Sequence, residues 1–246
     1  AGRRVVEADR FMRGGKYDGW LPGLFLGQRF FGATVGVIGA GRIGAAYGRM
    51  MVEGFKMDLV YFDQRPNDQL ERYVADYSAL LVDNGENPVQ CRRVSSVEEL
   101  LRVADVVSLH TVFDESTRHL INADRLALMK SDAILVNTSR GPVIDEAALV
   151  VHCQSHPDFK VGLDVFEDEP AMKPGLAELD NVVIVPHIAS ATVWTREGMA
   201  TLAAANVAAI LSGHPVWSQD DVLPFLSGDV PAAAPSILNA AELGLT

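Results

Sequence analysis

The sequence predicts an α/β fold: a parallel sheet doubly wound by helices, followed by a C-terminal helix and tail of a second domain. Three observations predict it. Short runs rich in β-branched residues alternate with longer helix-like runs over residues 1–188. The short runs are apolar on successive residues, as in strands buried on both faces. A glycine hexad stands between the first strand-like run and a helix-like run, in VGVIGAGRIGAAY.

The elements follow in order. Residues 3–12 (RRVVEADRFM) read as an amphipathic helix. Nothing before it supplies a cap, so upstream sequence is expected. Strands are expected at 34–38, 58–62, 91–94, 105–109, 133–137, 160–163 and 182–185. Helices are expected at 42–53, 69–82, 97–103, 123–129 and 145–151. After Pro186 the pattern changes. Residues 191–211 read as one alanine-rich helix ended by Ser212-Gly213, and an irregular tail follows with Pro215, Pro224, Pro231 and Pro235. The expected division is a first domain over 1–188, including the linking helix and an arm. Residues 189–246 then return towards a second domain whose main part lies outside this chain.

Composition excludes several function classes. The 246 residues are 48% apolar, enough for one sizeable core or two unequal ones. The net charge of −11, without a Lys/Arg cluster, argues against nucleic acid as a partner. No run approaches the ~18 apolar residues of a membrane span, so no membrane partner is expected. The opening AGRRVVEADRF has no apolar core of a secretory signal. Cys91 and Cys153 form no CxxC pair, which predicts a reducing compartment and no metal. His152, Cys153 and His156 read as a polar loop at a helix end rather than as ligands.

The hexad has a physical reading. Gly39 permits a tight turn, Gly41 lets a pyrophosphate approach the backbone, and Gly44 lets the helix pack close on the strand. The helix N-terminus then presents N–H groups and partial positive charge to the phosphates. Asp63 closes the next strand about 20 residues on, where a carboxylate meets the adenosine ribose. It would repel a 2′-phosphate, so NAD(H) is favoured and NADP(H) is weaker. Arg65 softens that preference.

Ligands of such sheets sit beyond the C-terminal strand ends. Those ends carry Thr138-Ser139-Arg140-Gly141, then Asp164 with Glu167, Asp168 and Glu169, then Pro186-His187-Ile188-Ala189-Ser190. One arginine, one acid and one histidine thus share the glycine rim. A guanidinium binds a carboxylate by two hydrogen bonds. A histidine titrates near neutrality and can pass a proton to a carbonyl oxygen. An acid beside it favours the imidazolium. By spacing alone that acid is Glu167, Asp168 or Glu169.

With VGVIGAGRIG, the stretches NTSRGPVIDEAAL, GLDVFEDEP and VPHIAS resemble the signatures of NAD-dependent D-2-hydroxyacid dehydrogenases. The resemblance covers nearly the whole chain. YDGWLPGLFLG, RMMVEGFKMDLVYFD, MKPGLAELDN, WTREGMATLAA and the insertion between Asp63 and Val94 are similar to the plant-type hydroxypyruvate reductase branch. The resemblance implies roles. Arg140 binds the substrate carboxylate, His187 donates the proton, and Glu169 is its paired acid. Arg42 and Ile43 lie over the pyrophosphate of NAD, and Asp63 holds the ribose. Thr111 belongs to the adenine-side wall, while Thr138, Asp164 and Ser190 line the nicotinamide side. The implied substrate is a small 2-keto or 2-hydroxy acid. Hydroxypyruvate is expected, with glyoxylate as a side activity.

Two departures stand out. Val112 follows His110-Thr111 where the family often has proline. The family's N-terminal substrate-domain segment has no counterpart before Ala1. The rival readings are a relative acting on glyoxylate, phosphoglycerate or formate, and an NAD-sensing interaction module like the C-terminal-binding-protein corepressors. The apolar residues of 11–31 read as exposed on a single protomer, and the resemblance implies that they form an arm embracing a second subunit of a homodimer. Trp20, Trp194 and Trp217 read as packing or interface residues. The end AELGLT carries no S-K-L-type address, which leaves peroxisome or mitochondrion as the expected organelle.

Overall fold

The computed structural model describes all residues except 220, 229, 238, 239, 241, 243, 245 and 246. The chain divides into two compact units, Ala1–His187 and Ile188–Thr246. The first opens with α1 (Val5–Arg13) and holds the strands β1 (Thr34–Ile38), β2 (Asp58–Phe62), β3 (Cys91–Arg93), β4 (Val106–Leu109), β5 (Ile134–Asn137), β6 (Lys160–Leu163) and β7 (Val182–Ile184). Between the strands run α2 (Arg42–Phe55), α3 (Asp68–Asp83), α4 (Val97–Val103), α5 (Ala123–Leu126) and α6 (Glu146–Ser155).

The strands form one seven-stranded sheet in the order β3-β2-β1-β4-β5-β6-β7, every neighbouring pair parallel. The order reverses direction beside β1, which is the switch point of a doubly wound sheet. Alternate side chains feed two cores. Val35 and Val37 pack with Val52, Leu59 and Val74 on one face. Ile38 packs with Leu100, Leu101 and Leu109 on the other. Each fully buried aliphatic side chain contributes roughly 1.5–3 kcal/mol. Both faces being covered is the reason the strand runs carry no polar alternation. The exception in β4 is Ser108, 1% exposed, whose hydroxyl meets His110 Nε2 at 2.9 Å. Beside them Tyr47 packs at a tilt against His110, and burial pushes the Tyr47 hydroxyl up to about 12.

Register places the site. Ile38 lies beside Phe62 and Leu109, Asn137 beside Leu109 and Leu163, and Leu163 beside Ile184. The strands therefore end together, and the residues that follow each one emerge on a single rim.

Local chemistry explains the helix starts. Asn67, Ser96, Asn122 and Asp145 cap α3, α4, α5 and α6, each side-chain oxygen accepting the amide three residues on. Several boundaries differ from the sequence expectation. The long C-terminal helix starts at Val193 rather than 191, and the second helix ends at Phe55 rather than 53. Three further differences have a visible cause. The first helix begins at Val5, because Arg4 adopts a left-handed φ of 55°. The helix expected over 123–129 closes at Leu126, where tighter turn bonds take over (Leu128 N to Arg125 O and Met129 N to Leu126 O). The helix expected to end at 151 continues to Ser155, because Cys153 is a buried core residue. His152 and Cys153 are thus helical, not in a polar loop. At the sheet edge β3 is short, and its exposed Arg92 and Arg93 discourage further pairing.

The second unit holds α7 (Val193–Leu211), capped by the Thr192 hydroxyl and closed at Ser212-Gly213, with Gly213 at φ +71°. In its tail Trp217 packs edge-on against buried Phe225 and donates its indole N–H to Asp221 O at 2.9 Å. Trp217 is thus a packing residue, whereas Trp20 and Trp194 are 79% and 65% exposed.

One consequence concerns pH. His152 stacks on His156 at 4.1 Å, lies edge-on to Phe159, and has a buried Nε2 without a partner among the described residues. Burial first, and the neighbouring His156 second, hold His152 below the ordinary histidine value. The unfolded chain therefore takes up this proton first as pH falls. Stability is expected to decline below about pH 6.5, the ordinary value. His152→Phe keeps the ring contacts and should flatten that decline. Melting temperatures from neutral to mildly acidic pH test this, and equal slopes in parent and variant would sink it.

Candidate active site

The glycine loop is built for close approach. Gly39 sits at φ +92°, and a Cβ there would lie 2.8 Å from the His110 carbonyl, so both conformation and space demand glycine. A Cβ on Gly44 would lie 2.0 Å from Gly39 O, which is the close strand–helix packing its position predicts. Gly41 differs from both: a Cβ there would meet nothing within 4 Å. The protein does not need glycine at 41 for its own packing, and the space above it is open.

The helix that follows supports the same conclusion. The helices α3 to α7 all carry side-chain caps, yet α2 begins at Gly41 with none. Its first-turn amides, those of Arg42 and Ile43 among them, face the open space with the partial positive charge of a helix start. An anion supplied from outside completes that turn. Asp63 stands beside it. Its Oδ2 accepts the Ala40 amide at 2.8 Å and its Oδ1 the Arg65 amide at 3.2 Å, so the acid is held against the loop with acceptor capacity to spare. Asn67 locks the other side by donating to Ala40 O at 2.7 Å. Thr111, after β4, keeps a buried hydroxyl without a partner among the described residues. An uncapped helix, an anchored ribose-type acid and an orphaned hydroxyl on one rim fit a dinucleotide.

The chemical half lies after β5, β6 and β7. Buried Asn137 shapes the first loop. Its Oδ1 accepts from the Ser139 amide and hydroxyl, and its Nδ2 donates to Arg140 O. Thr138 and Arg140 are carried on this turn, and Arg140 donates to Ser139 O at 2.6 Å. Asp164 is 3% exposed, and its amide donates to Asn137 O at 3.0 Å, which joins the second loop to the first. Gly141 joins them again. A Cβ on it would lie 1.8 Å from Phe166 O, so the two loops touch backbone to backbone.

The three adjacent acids separate by direction. Glu167 turns to His119 Nε2 at 2.9 Å and Asp168 to Lys173 Nζ at 2.7 Å. Glu169 alone of the three reaches His187, with Oε2 3.2 Å from Nδ1, while its Oε1 accepts the Phe166 amide at 3.0 Å. His187 sits at φ +52° and donates its amide to Asp164 O at 2.9 Å. Arg140, Glu169 and His187 line one pocket with Phe113, Gly141 and Phe166. The His187 and Glu169 side chains are 51% and 38% exposed, so their pairing adds little stability. Ser190 lies in the second unit, in the turn before α7.

Sequence reasoning passed over Asn137, Gly141 and the Glu146–Glu167 contacts. The N-x-S spacing at a strand end was the available signal for Asn137. The other two arise from loops that meet only after folding.

A family profile described as "D-isomer specific 2-hydroxyacid dehydrogenase, NAD binding domain" matches residues 1–189. The chain is 64% identical over 247 residues to a glycerate dehydrogenase of Cucumis sativus, covering 99% of this chain and 65% of that protein. It is 61% identical over 248 residues to the peroxisomal glycerate dehydrogenase HPR of Arabidopsis thaliana, covering 100% and 64%. Among solved structures it superposes on a D-lactate dehydrogenase from Aquifex aeolicus complexed with NAD and lactic acid, with a TM-score of 0.71 and 29% identity. That match covers 86% of this chain and 62% of that one. The chain thus spans slightly less than two thirds of the length of each relative.

Proposed function

We propose that this chain, which belongs to the D-isomer specific 2-hydroxyacid dehydrogenase family, carries the cofactor and catalytic half of an enzyme that reduces hydroxypyruvate to D-glycerate with NADH. The observation that carries the proposal is the single pocket lined by Arg140, Glu169 and His187, with Glu169 aimed at Nδ1 of the histidine. The identity to two glycerate dehydrogenases supports hydroxypyruvate over other 2-keto acids, with glyoxylate reduced to glycolate as a side activity.

The residues divide the work. Arg140 binds the substrate carboxylate through its planar fork and orients the keto group towards the histidine. When bound, the nicotinamide of NADH supplies the hydride. His187 holds its proton on Nε2 and gives it to the keto oxygen as that oxygen becomes an alkoxide. Glu169 keeps Nδ1–H directed at its carboxylate, which orients the ring and favours the imidazolium that reduction consumes. The cofactor is held by Gly39, Gly41 and Gly44, by the amides of Arg42 and Ile43, and by Asp63 at the ribose. Thr111 lies on the adenine side, and Thr138, Asp164 and His187 on the nicotinamide side. Asp63 beside the loop supports NADH over NADPH, since a 2′-phosphate would meet its charge.

A homodimer fits the exposed apolar arm, where Trp20, Leu21 and Leu26 are 79%, 63% and 70% exposed. No helix among the described residues is long and apolar enough to cross a membrane. The Arabidopsis relative is named as peroxisomal, and an organellar location is proposed for this protein on that likeness.

The test is NADH consumption by the full-length natural protein with hydroxypyruvate, and with glyoxylate and NADPH as comparators. Turnover much stronger with hydroxypyruvate and NADH is the expected result. Binding of NADH without turnover of either acid would move the assignment to another 2-keto acid or to an NAD-sensing interaction module.

A further inference from the structure

Two carboxylates that the proposed reaction does not use lie almost out of water beside the site. Glu146, the first residue of α6, is 3% exposed, and the Glu167 side chain is 11% exposed. Each accepts the other's main-chain amide. Glu146 Oε2 takes Glu167 N at 2.8 Å, and Glu167 Oε2 takes Glu146 N at 3.2 Å. Glu146 Oε1 also takes Lys173 N at 2.6 Å, and Glu167 Oε1 meets His119 Nε2 at 2.9 Å. Lys173 Nζ lies 3.9 Å from Glu167 and binds Asp168 at 2.7 Å.

Burying two acids is costly, and apolar side chains would fill the space at least as stably. The acids add something apolar groups lack: directional grips on named backbone atoms. Glu146 holds the amides of residues 167 and 173, and Glu169 lies between those two fixed points. Within that span Glu169 is further tied to Phe166 N and reaches His187. The helix start at Glu146 and the cationic Lys173 offset part of the negative charge. The charged and titratable groups facing the clasp are His119, Asp168 and Lys173. Those sharing the pocket with His187 are Arg140, Glu167, Asp168 and Glu169.

We propose that Glu146 and Glu167 form a two-way clasp that sets Glu169 against His187, and that both are positioning residues for the proton donor. The proposal rests on the roles given above to Glu169 and His187.

The test uses Glu146→Gln and Glu167→Gln in the full-length protein, with hydroxypyruvate reduction followed across pH. Glu146→Gln must turn its amide nitrogen on one of two main-chain N–H groups, so the loop shifts. Glu167→Gln leaves a neutral group between the Glu146 amide and the His119 ring and weakens both grips. Misplacement of this kind costs up to ~10²-fold, and a loss of about tenfold in kcat is expected. The pH above which reduction falls should also move down, in the direction that Glu169→Gln moves it, with the KM for NADH near the parent's. His119→Gln, at a side chain 37% exposed, loosens Glu167 without touching the buried oxygens of Glu146. It should move the profile the same way by less, and it decides the question if Glu146→Gln does not fold. An active parent whose variants keep its kcat, or lose kcat with an unmoved pH profile, overturns the clasp alone. A parent that reduces no 2-keto acid overturns the reading of the site and, with it, the role of the clasp.

Discussion

His187→Asn is expected to slow hydroxypyruvate reduction by about 10²–10⁴-fold, the range general acid catalysis contributes, while NADH binding stays close to the parent's. The asparagine keeps a polar side chain of similar reach but has no proton to give. The amide of residue 187 still bonds Asp164 O, so the loop itself should hold. Single-turnover rates with NADH pre-bound separate chemistry from binding. Glu169→Gln is the companion variant. Reduction needs the protonated ring, and the parent stabilises that form through the 3.2 Å contact of Oε2 with Nδ1. Without the carboxylate the imidazolium loses its partner, so the rate should fall away at lower pH than in the parent. A normal rate in His187→Asn would remove the histidine from the chemistry. An unmoved profile in Glu169→Gln would remove the pairing.

Gly141→Ala is expected to damage stability and activity together. The added Cβ would lie 1.8 Å from Phe166 O and 1.9 Å from Phe166 C. These are backbone atoms, so no rotamer change relieves the clash, and the loop after β5 must part from the loop after β6. Overpacking costs typically ~1–3 kcal/mol, which for a chain of this size lowers the melting temperature by roughly 2–12 °C. The same separation moves Arg140 away from Glu169 and His187, so kcat should fall even in molecules that remain folded. Thermal unfolding and steady-state kinetics on one preparation check both effects. A variant with the parent's melting temperature and kcat would show that the loops are free to separate without loss.

Much of the fold is legible in the order of the amino acids. The all-apolar runs mark strands covered on both faces, and every expected strand lies within a residue of its observed bounds. Gly39 and Gly44 are readable because no other residue tolerates their φ or their spacing. The capping residues Asn67, Ser96, Asn122 and Asp145 stand just before helices that the apolar pattern locates. The helix end at 155 is not legible in this way. His152 and Cys153 look polar or ambiguous in sequence, and only packing of Cys153 into the core carries the helix on.

The sequence by itself determined the sheet, its helices, the glycine turn and the strand ends from which Arg140, Asp164 and His187 emerge. These rest on local periodicity and backbone preference, which act over a few residues. Spacing did not decide which of Glu167, Asp168 and Glu169 faces the histidine; the tertiary structure turns Glu169 to it, the acid the resemblance implied. The tertiary structure alone showed that Gly141 yields its side chain to Phe166, and that Glu146 grips the loop from 21 residues away. The reason is physical. Three neighbouring carboxylates have the same intrinsic chemistry, and the direction each takes is set by the partner that folding brings beside it.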